Sequence, residues 1–135
     1  MKLKKTAALV LTASLAVGAL AGCSSGSSAD EKVIKIGVFQ PTTGENGGGG
    51  FQEVLGIRYA NQVHPTVKIG EDEYKIELVE VDNKSDKTEA VNAAQKLVSE
   101  KVNVVLGSYG SGVSIAAGQI FADAKIPAIG CSCTN

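Results

Sequence analysis

Residues 107–114 read Gly-Ser-Tyr-Gly-Ser-Gly-Val-Ser, a glycine- and hydroxyl-rich turn that leads from an apolar run into a helical pattern. The spacing nearly fits the phosphate loop G-x-x-x-x-G-K-[ST], with Gly107, Gly112 and Ser114 in register, but Val113 stands where the lysine belongs. Without that cation the loop loses its contact to the outer phosphates, which disfavours an NTPase. The helix amino terminus remains. Its unpaired N–H groups and dipole favour an anion, and a carboxylate suits them as well as a phosphate. Ser111 either offers its hydroxyl to such an anion or caps the helix. Cys131 and Cys133 are a C-x-C pair. One intervening residue places two thiols badly for a relaxed disulfide. No second pair and no cluster of histidines completes a metal site around them. They read as buried or half-buried free thiols.

No catalytic set accompanies these residues. His64 is the only histidine and precedes Pro65 in a helix-ending loop, where it faces solvent. Ser111 has no base nearby in the chain, and neither Cys131 nor Cys133 has a positioned histidine. Asp82, Asp86 and Glu45 are loop carboxylates without an evident acid–base partner. "PTTGENG" (41–47) resembles the flavin-phosphate loop of flavodoxins, but Glu45 would face the phosphate and the loop "DNKSD" (82–86) offers no stacking aromatic. The expectation is a non-enzyme without cofactor or metal.

Cys23 carries a different chemistry. Lys2, Lys4 and Lys5 precede an apolar run from Ala7 to Leu20, too short for a membrane span and suited to an export signal. The run ends Leu20-Ala21-Gly22-Cys23, which resembles the bacterial lipoprotein box. There a cysteine thiolate takes up a diacylglycerol and the signal is cut before it. Two or three acyl chains anchor stably, whereas one does not. The tract "SSGSSADEK" that follows cannot bury enough apolar surface to fold and reads as a tether. The expected organisation is a signal peptide over 1–22, a lipid-anchored tether over 23–32 and a folded part over 33–135. Three of the 13 basic residues lie in the signal, leaving ten against 14 acidic ones. That balance argues against a nucleic-acid partner.

The elements that must position these residues alternate. "VIKIGVFQ" (33–40), "YKIELVEVD" (74–82), "VNVVLG" (102–107) and "KIPAIG" (125–130) read as strands. Helices are expected over 51–63, 85–100 and 112–124. The second is capped by Ser85 or Asp86, with Ala90, Ala94, Leu97 and Val98 inward. The third has Ile115, Ala116, Ile120, Phe121 and Ala124 inward. The glycines 47–50 are expected in a loop, either flexible or close to a ligand. Strands separated by crossover helices make an α/β fold: a parallel sheet with helices on both faces. Its ligand sits beyond the carboxyl ends of the strands. The loops at that edge are 41–50, 82–86, 107–112 and 130–135. Asn135 follows a strand with no closing helix, so a longer protein is expected.

Together "IKIGVFQPTTGENGGGG", "VEVDNKSDKTEA", "VLGSYGSG" and "PAIGCSCTN" are similar to the substrate-binding proteins of branched-chain amino-acid ABC importers. These are leucine-binding-protein-like members of the type I periplasmic-binding-protein class. The resemblance covers residues 33–135. It implies two α/β lobes that close on a small amino acid or amide and then dock on a membrane permease, this chain being the first part of the amino-terminal lobe. It also implies that the hydroxyl of Ser111, backbone groups of Ser132 and the hydroxyl of Thr134 hold the ligand's α-carboxylate and amino group. The chain departs from its relatives in three places. Ser85 and Gly110 stand where some carry a disulfide, Glu45 replaces a proline, and an aromatic that often meets the ligand's side chain falls within Gly48–Gly50. A ligand-sensing extracellular domain on the same fold, or a flavodoxin-like exported enzyme, are the alternatives.

Overall fold

The computed structural model describes residues 32–134. The signal, nearly all of the tether, Cys23 and Asn135 therefore lie outside the described residues.

Strand residues alternate between two faces, and here the alternation separates two sets of helices. Strand β1 (Val33–Gln40) pairs in parallel with β3 (Asp72–Asp82) and β4 (Val104–Leu106), and β4 pairs in parallel with β5 (Ala128–Ile129). Phe39, Val81 and Val105 point to one face, where helices α2 (Lys87–Ser99) and α3 (Ser111–Asp123) close the core. Ile36, Ile76, Leu78 and Leu106 point to the other, beside helix α1 (Gly47–Val63). A bidentate Arg58–Glu80 pair, with N–O distances of 2.7 and 2.6 Å, ties α1 to β3 on that side.

Alanines Ala90, Ala93 and Ala94 and the fully buried Leu97 form the inner stripe of α2. Their small size lets α2 and α3 approach closely. Phe121 from α3 meets Phe39 edge-to-face, with centroids 5.5 Å apart at 86°, a geometry worth about 1 kcal/mol beyond area burial. The buried stripe of α3 is Val113, Ala117 and Phe121, spaced by four. Ile115, expected inward, is exposed, whereas Ala116 and Ile120 pack partly against the core.

The sheet is parallel, as expected, except at one edge. Residues Thr66–Ile69 form an antiparallel edge strand, β2, that makes a hairpin with β3, giving the order β2-β3-β1-β4-β5. Helix α1 begins at Gly47, so the glycine run is the helix's first turn and not a loop. His64 ends α1 and is exposed, as expected.

Candidate functional site

The carboxyl ends of β1, β3, β4 and β5 bring four short loops to one edge of the sheet. Three fully buried polar side chains, Gln40, Asn83 and Ser108, hold these loops from below. A buried polar group is costly unless bonded, and each of these is bonded. Asn83 donates to the Phe39 carbonyl at 3.4 Å and to Ser108 Oγ at 3.2 Å, and accepts from the Ser85 N–H at 3.1 Å. Ser108 Oγ accepts from the Gly110 N–H at 3.2 Å. Gln40 Oε1 accepts from the Tyr109 N–H at 2.8 Å, while its amide donates to Glu53. The backbone between Gly107 and Ser111 is thus fixed from three strands.

Asp82 fastens the first two loops to each other. Its Oδ1 accepts from the N–H groups of Thr42 at 2.9 Å and Lys84 at 2.8 Å, and its Oδ2 accepts from the Thr43 hydroxyl at 2.6 Å. Burial pushes its carboxyl up, but the bonds from Thr43, Thr42 and Lys84 outweigh burial and hold the pKa at about 2. The loops meet so closely that a Cβ on Gly44, whose φ is +80°, would stand 1.9 Å from the Lys84 carbonyl oxygen, so only glycine fits there.

Ser111 is the first residue of α3, and Gly110 precedes it as N-cap with no side-chain cap. The capping role considered for Ser111 is therefore not the one it plays. Instead its Oγ accepts from the Thr134 N–H at 3.1 Å. The structure thus brings Ser111 and Thr134 together, while Ser132 stands exposed on the same final loop. Because Oγ accepts from Thr134, its own proton remains available to an acceptor at the edge. Beneath it, Ser114 Oγ bonds the Gly110 carbonyl at 3.1 Å and lies 3.0 Å from Cys133 Sγ. Lys87, from the start of α2, lines a cavity of about 130 Å³ with Gly110, Gly112 and Val113. A cation and a helix amino terminus therefore share this corner, and both favour an anion.

The two thiols differ. Cys133 is half-buried and donates to the Ser108 carbonyl at 3.1 Å. Cys131 is exposed, contrary to the expectation of burial. Partial desolvation raises its pKa, and the nearby Glu53 carboxylate and Cys133 raise it further, which leaves it a protonated, poor nucleophile. Among the described residues, no three His, Cys, Asp or Glu side chains gather as metal ligands do.

The buried Gln40–Asn83–Ser108 support and the linking role of Asp82 were not read from the sequence. The available signal is Gln40, a polar residue ending a mostly apolar strand; nothing comparable marks Asp82, because β3 carries charged residues along its length.

Residues 33–135 match the family described as periplasmic binding protein. Over 102 residues the chain is 32% identical to Leu/Ile/Val-binding protein homolog 2 of Brucella abortus, covering 76% of this chain and 27% of that protein. The fold is similar to that of the leucine-binding protein LivK of Thermotoga maritima, with a TM-score of 0.70 and 38% identity over 76% of this chain and 29% of that one. It is also similar to that of LivJ, the branched-chain amino acid transporter substrate-binding protein of Streptococcus pneumoniae, solved in complex with isoleucine. There the TM-score is 0.68 and the identity 31%, over 77% of this chain and 30% of that one. The chain thus spans less than a third of the length of these relatives.

Proposed function

Because this chain belongs to the periplasmic binding protein family, we propose that it is part of the amino-terminal lobe of an ABC importer's solute-binding component. In this proposal Ser111, the loop of Ser132 and Thr134 hold the carboxylate and amino group of a small branched-chain or related amino acid. The observation that carries the proposal is the junction of Ser111 with Thr134 at the first turn of α3. Two loops meet there, beside helix amides that favour a negative end, and the Ser111 hydroxyl retains a proton to donate. The relatives support the ligand class, since one of them was solved with isoleucine bound.

The proposal extends to location. The complete protein is exported, loses residues 1–22 and is held to the bacterial membrane through lipid on Cys23. From there it delivers its solute to a membrane permease. Metabolic labelling with a radioactive fatty acid should mark the wild type and not Cys23→Ala; label on the variant rejects the anchor.

Ligand binding is tested by thermal unfolding of the complete protein against a panel of amino acids and amides. A ligand that binds only the folded state stabilises it by RT ln(1 + [L]/Kd), about 2.7 kcal/mol at a hundredfold excess over Kd. Ser111→Ala should weaken binding of every ligand that shifts the transition, by about 1–3 kcal/mol. A complete protein that no member of the panel stabilises would overturn the proposal.

A further inference from the structure

We propose that the outward face of helix α1 is a contact surface through which two copies of this chain pair about a two-fold axis. The surface contains none of the residues assigned to the ligand above, so the pairing stands or falls independently of what the protein binds.

Phe51, Leu55, Tyr59 and Val63 recur at every fourth position of α1. Positions four apart on a helix stack into one ridge. The residues that hold α1 to the sheet lie elsewhere on its surface: Gly47, Gly50 and Val54 are buried, and Ile57, Ala60 and Asn61 line the space above the strands. The ridge is left in water, with Phe51 41%, Leu55 42%, Tyr59 69% and Val63 49% exposed. Val67 and Ile69 of the edge strand β2 are exposed as well. They pair with Tyr74 and Asp72, in step along β3 with Ile76 and Leu78, and so point to the α1 side of the sheet. Six of the ten exposed large hydrophobics among the described residues therefore lie on one side of the molecule, and a gathered apolar patch marks a contact surface where scattered single residues do not.

Three observations select a second copy as the partner. The first is area. With about 150–250 Å² on a whole aromatic side chain, the ridge alone exposes roughly 400 Å², about half of the 800 Å² that each partner brings to a standard interface. The second is charge. Glu53 and Arg58 are the only charged residues of α1, and both are bonded within the protomer, to Gln40 and Glu80. A face without free charge can meet its own copy without setting like charges together. The same lack of free Lys and Arg disfavours a lipid surface, which basic flanks would hold. The third is a pair of glycines. Pro41 and Tyr109 leave no room for a Cβ at Gly50 and Gly49, whereas a Cβ at Gly48 or Gly56 would meet nothing within 4 Å. On a helix of about 3.6 residues per turn both fall beside the ridge. Glycine weakens a helix, and nothing in the protomer requires it at these two places. The close approach of a second backbone does. An isologous crossing then packs Leu55 of one protomer beside Tyr59 of its partner, and the reverse.

The test is thiol cross-linking of the complete protein in intact cells with a short bis-maleimide. Leu55→Cys should give a band at twice the protomer mass, above the background that the native cysteines set in wild type. Ile115→Cys, at an exposed apolar position of α3 on the other side of the sheet, should add nothing to that background. Tyr59→Arg combined with Leu55→Cys should cut the doubled band by about tenfold or more, because two guanidinium groups then face each other across the axis. A co-expressed copy carrying Leu55→Cys and Tyr59→Glu should restore it. The melting temperature of each variant verifies that it is folded, and Val63→Arg takes the place of Tyr59→Arg if that variant is not. Absence of the doubled band from Leu55→Cys overturns the pairing. So does resistance of that cysteine to maleimide in the folded protein, which would show the ridge covered by another part of the same chain. A cross-linked band of any other mass would name a different partner, and equal cross-linking at Ile115→Cys would mark mere collision; either result overturns the pairing as well.

Discussion

Asp82 shows how one carboxylate sets the shape of an edge it need not touch a ligand to control. Its bonds to Thr42, Thr43 and Lys84 fasten two loops 40 residues apart. Its folded pKa of about 2 lies below the ordinary value of 3.8, so its contribution to stability has a definite sign. It is fully present above the unfolded value, about pH 4, and is lost as pH falls toward 2. Glu80 adds to this with the same sign, because its hydrogen bond from Arg58 lowers its pKa despite partial burial. Urea unfolding from pH 5 to pH 2 should show wild-type stability declining through that window. Asp82→Asn should start about 1 kcal/mol lower, a modest loss because the group is only half-buried, and decline less steeply. Parallel curves for the two proteins would remove Asp82 from this role. The turn that carries Ser111 announces itself in adjacent residues of the sequence. The function of Asp82 was not legible, because nothing in "VDNKSD" indicates that Thr42 and Thr43 arrive to meet it.

At the scale of elements, legibility followed burial. Strand β1 and helix α2 were read nearly to the residue because their apolar positions face a core, as Leu97 and the alanines of α2 do. The cap choice also fell within the options: Asp86 accepts from the Thr88 and Glu89 N–H groups at 2.8 and 2.9 Å, while Ser85 turns to the Asn46 N–H. Strand β2 was missed because all four residues are exposed, so no periodicity marks it; only its β-branched content and the following Gly70 hint at a hairpin. The first turn of α1 was missed because glycine is a poor helix former. Tertiary contact overrides that preference, since a Cβ at Gly50 would lie 2.1 Å from the Pro41 carbonyl oxygen. Two consequences can be measured. Leu97→Ala should cost about 2–5 kcal/mol in denaturant unfolding, as for other fully enclosed leucines; a loss below 1 kcal/mol would mean the α2 stripe is not the core. Lys101 ends α2 at a φ of +58°, with the Val102 N–H reaching back to the Leu97 carbonyl. Lys101→Gly should therefore raise stability by up to about 1 kcal/mol, and a fall would show that the lysine side chain outweighs its backbone strain.

For the molecule as a whole, the two faces of the sheet are unequal. Helices α2 and α3 cover one, while on the other α1 leaves a groove of about 520 Å³ lined by Ile36, Ile57, Ile76, Leu78 and Leu106. Asn61 borders this groove with a buried Oδ1 that no described residue satisfies. The outer strands differ as well. Strand β2 carries Lys68 at one edge, a charge that discourages pairing with another sheet. Strand β5 at the other edge is two residues long, with Ile129 57% exposed. An apolar groove of this size beside a weakly guarded edge favours association. Residues 33–135 expressed alone should therefore bind an apolar fluorescent dye and sediment as species larger than a monomer at micromolar concentration. Ile57→Gln, which polarises the groove wall from the α1 side, should reduce both signals without unfolding the core that α2 and α3 close. Glu replacing Ile129 should reduce association while leaving dye binding nearly unchanged, because it acts at the edge and not in the groove. A dye-silent monomer would mean that α1 folds down over the sheet more closely than this arrangement allows. If Ile57→Gln and Ile129→Glu have the same effect on both signals, groove and edge form one surface.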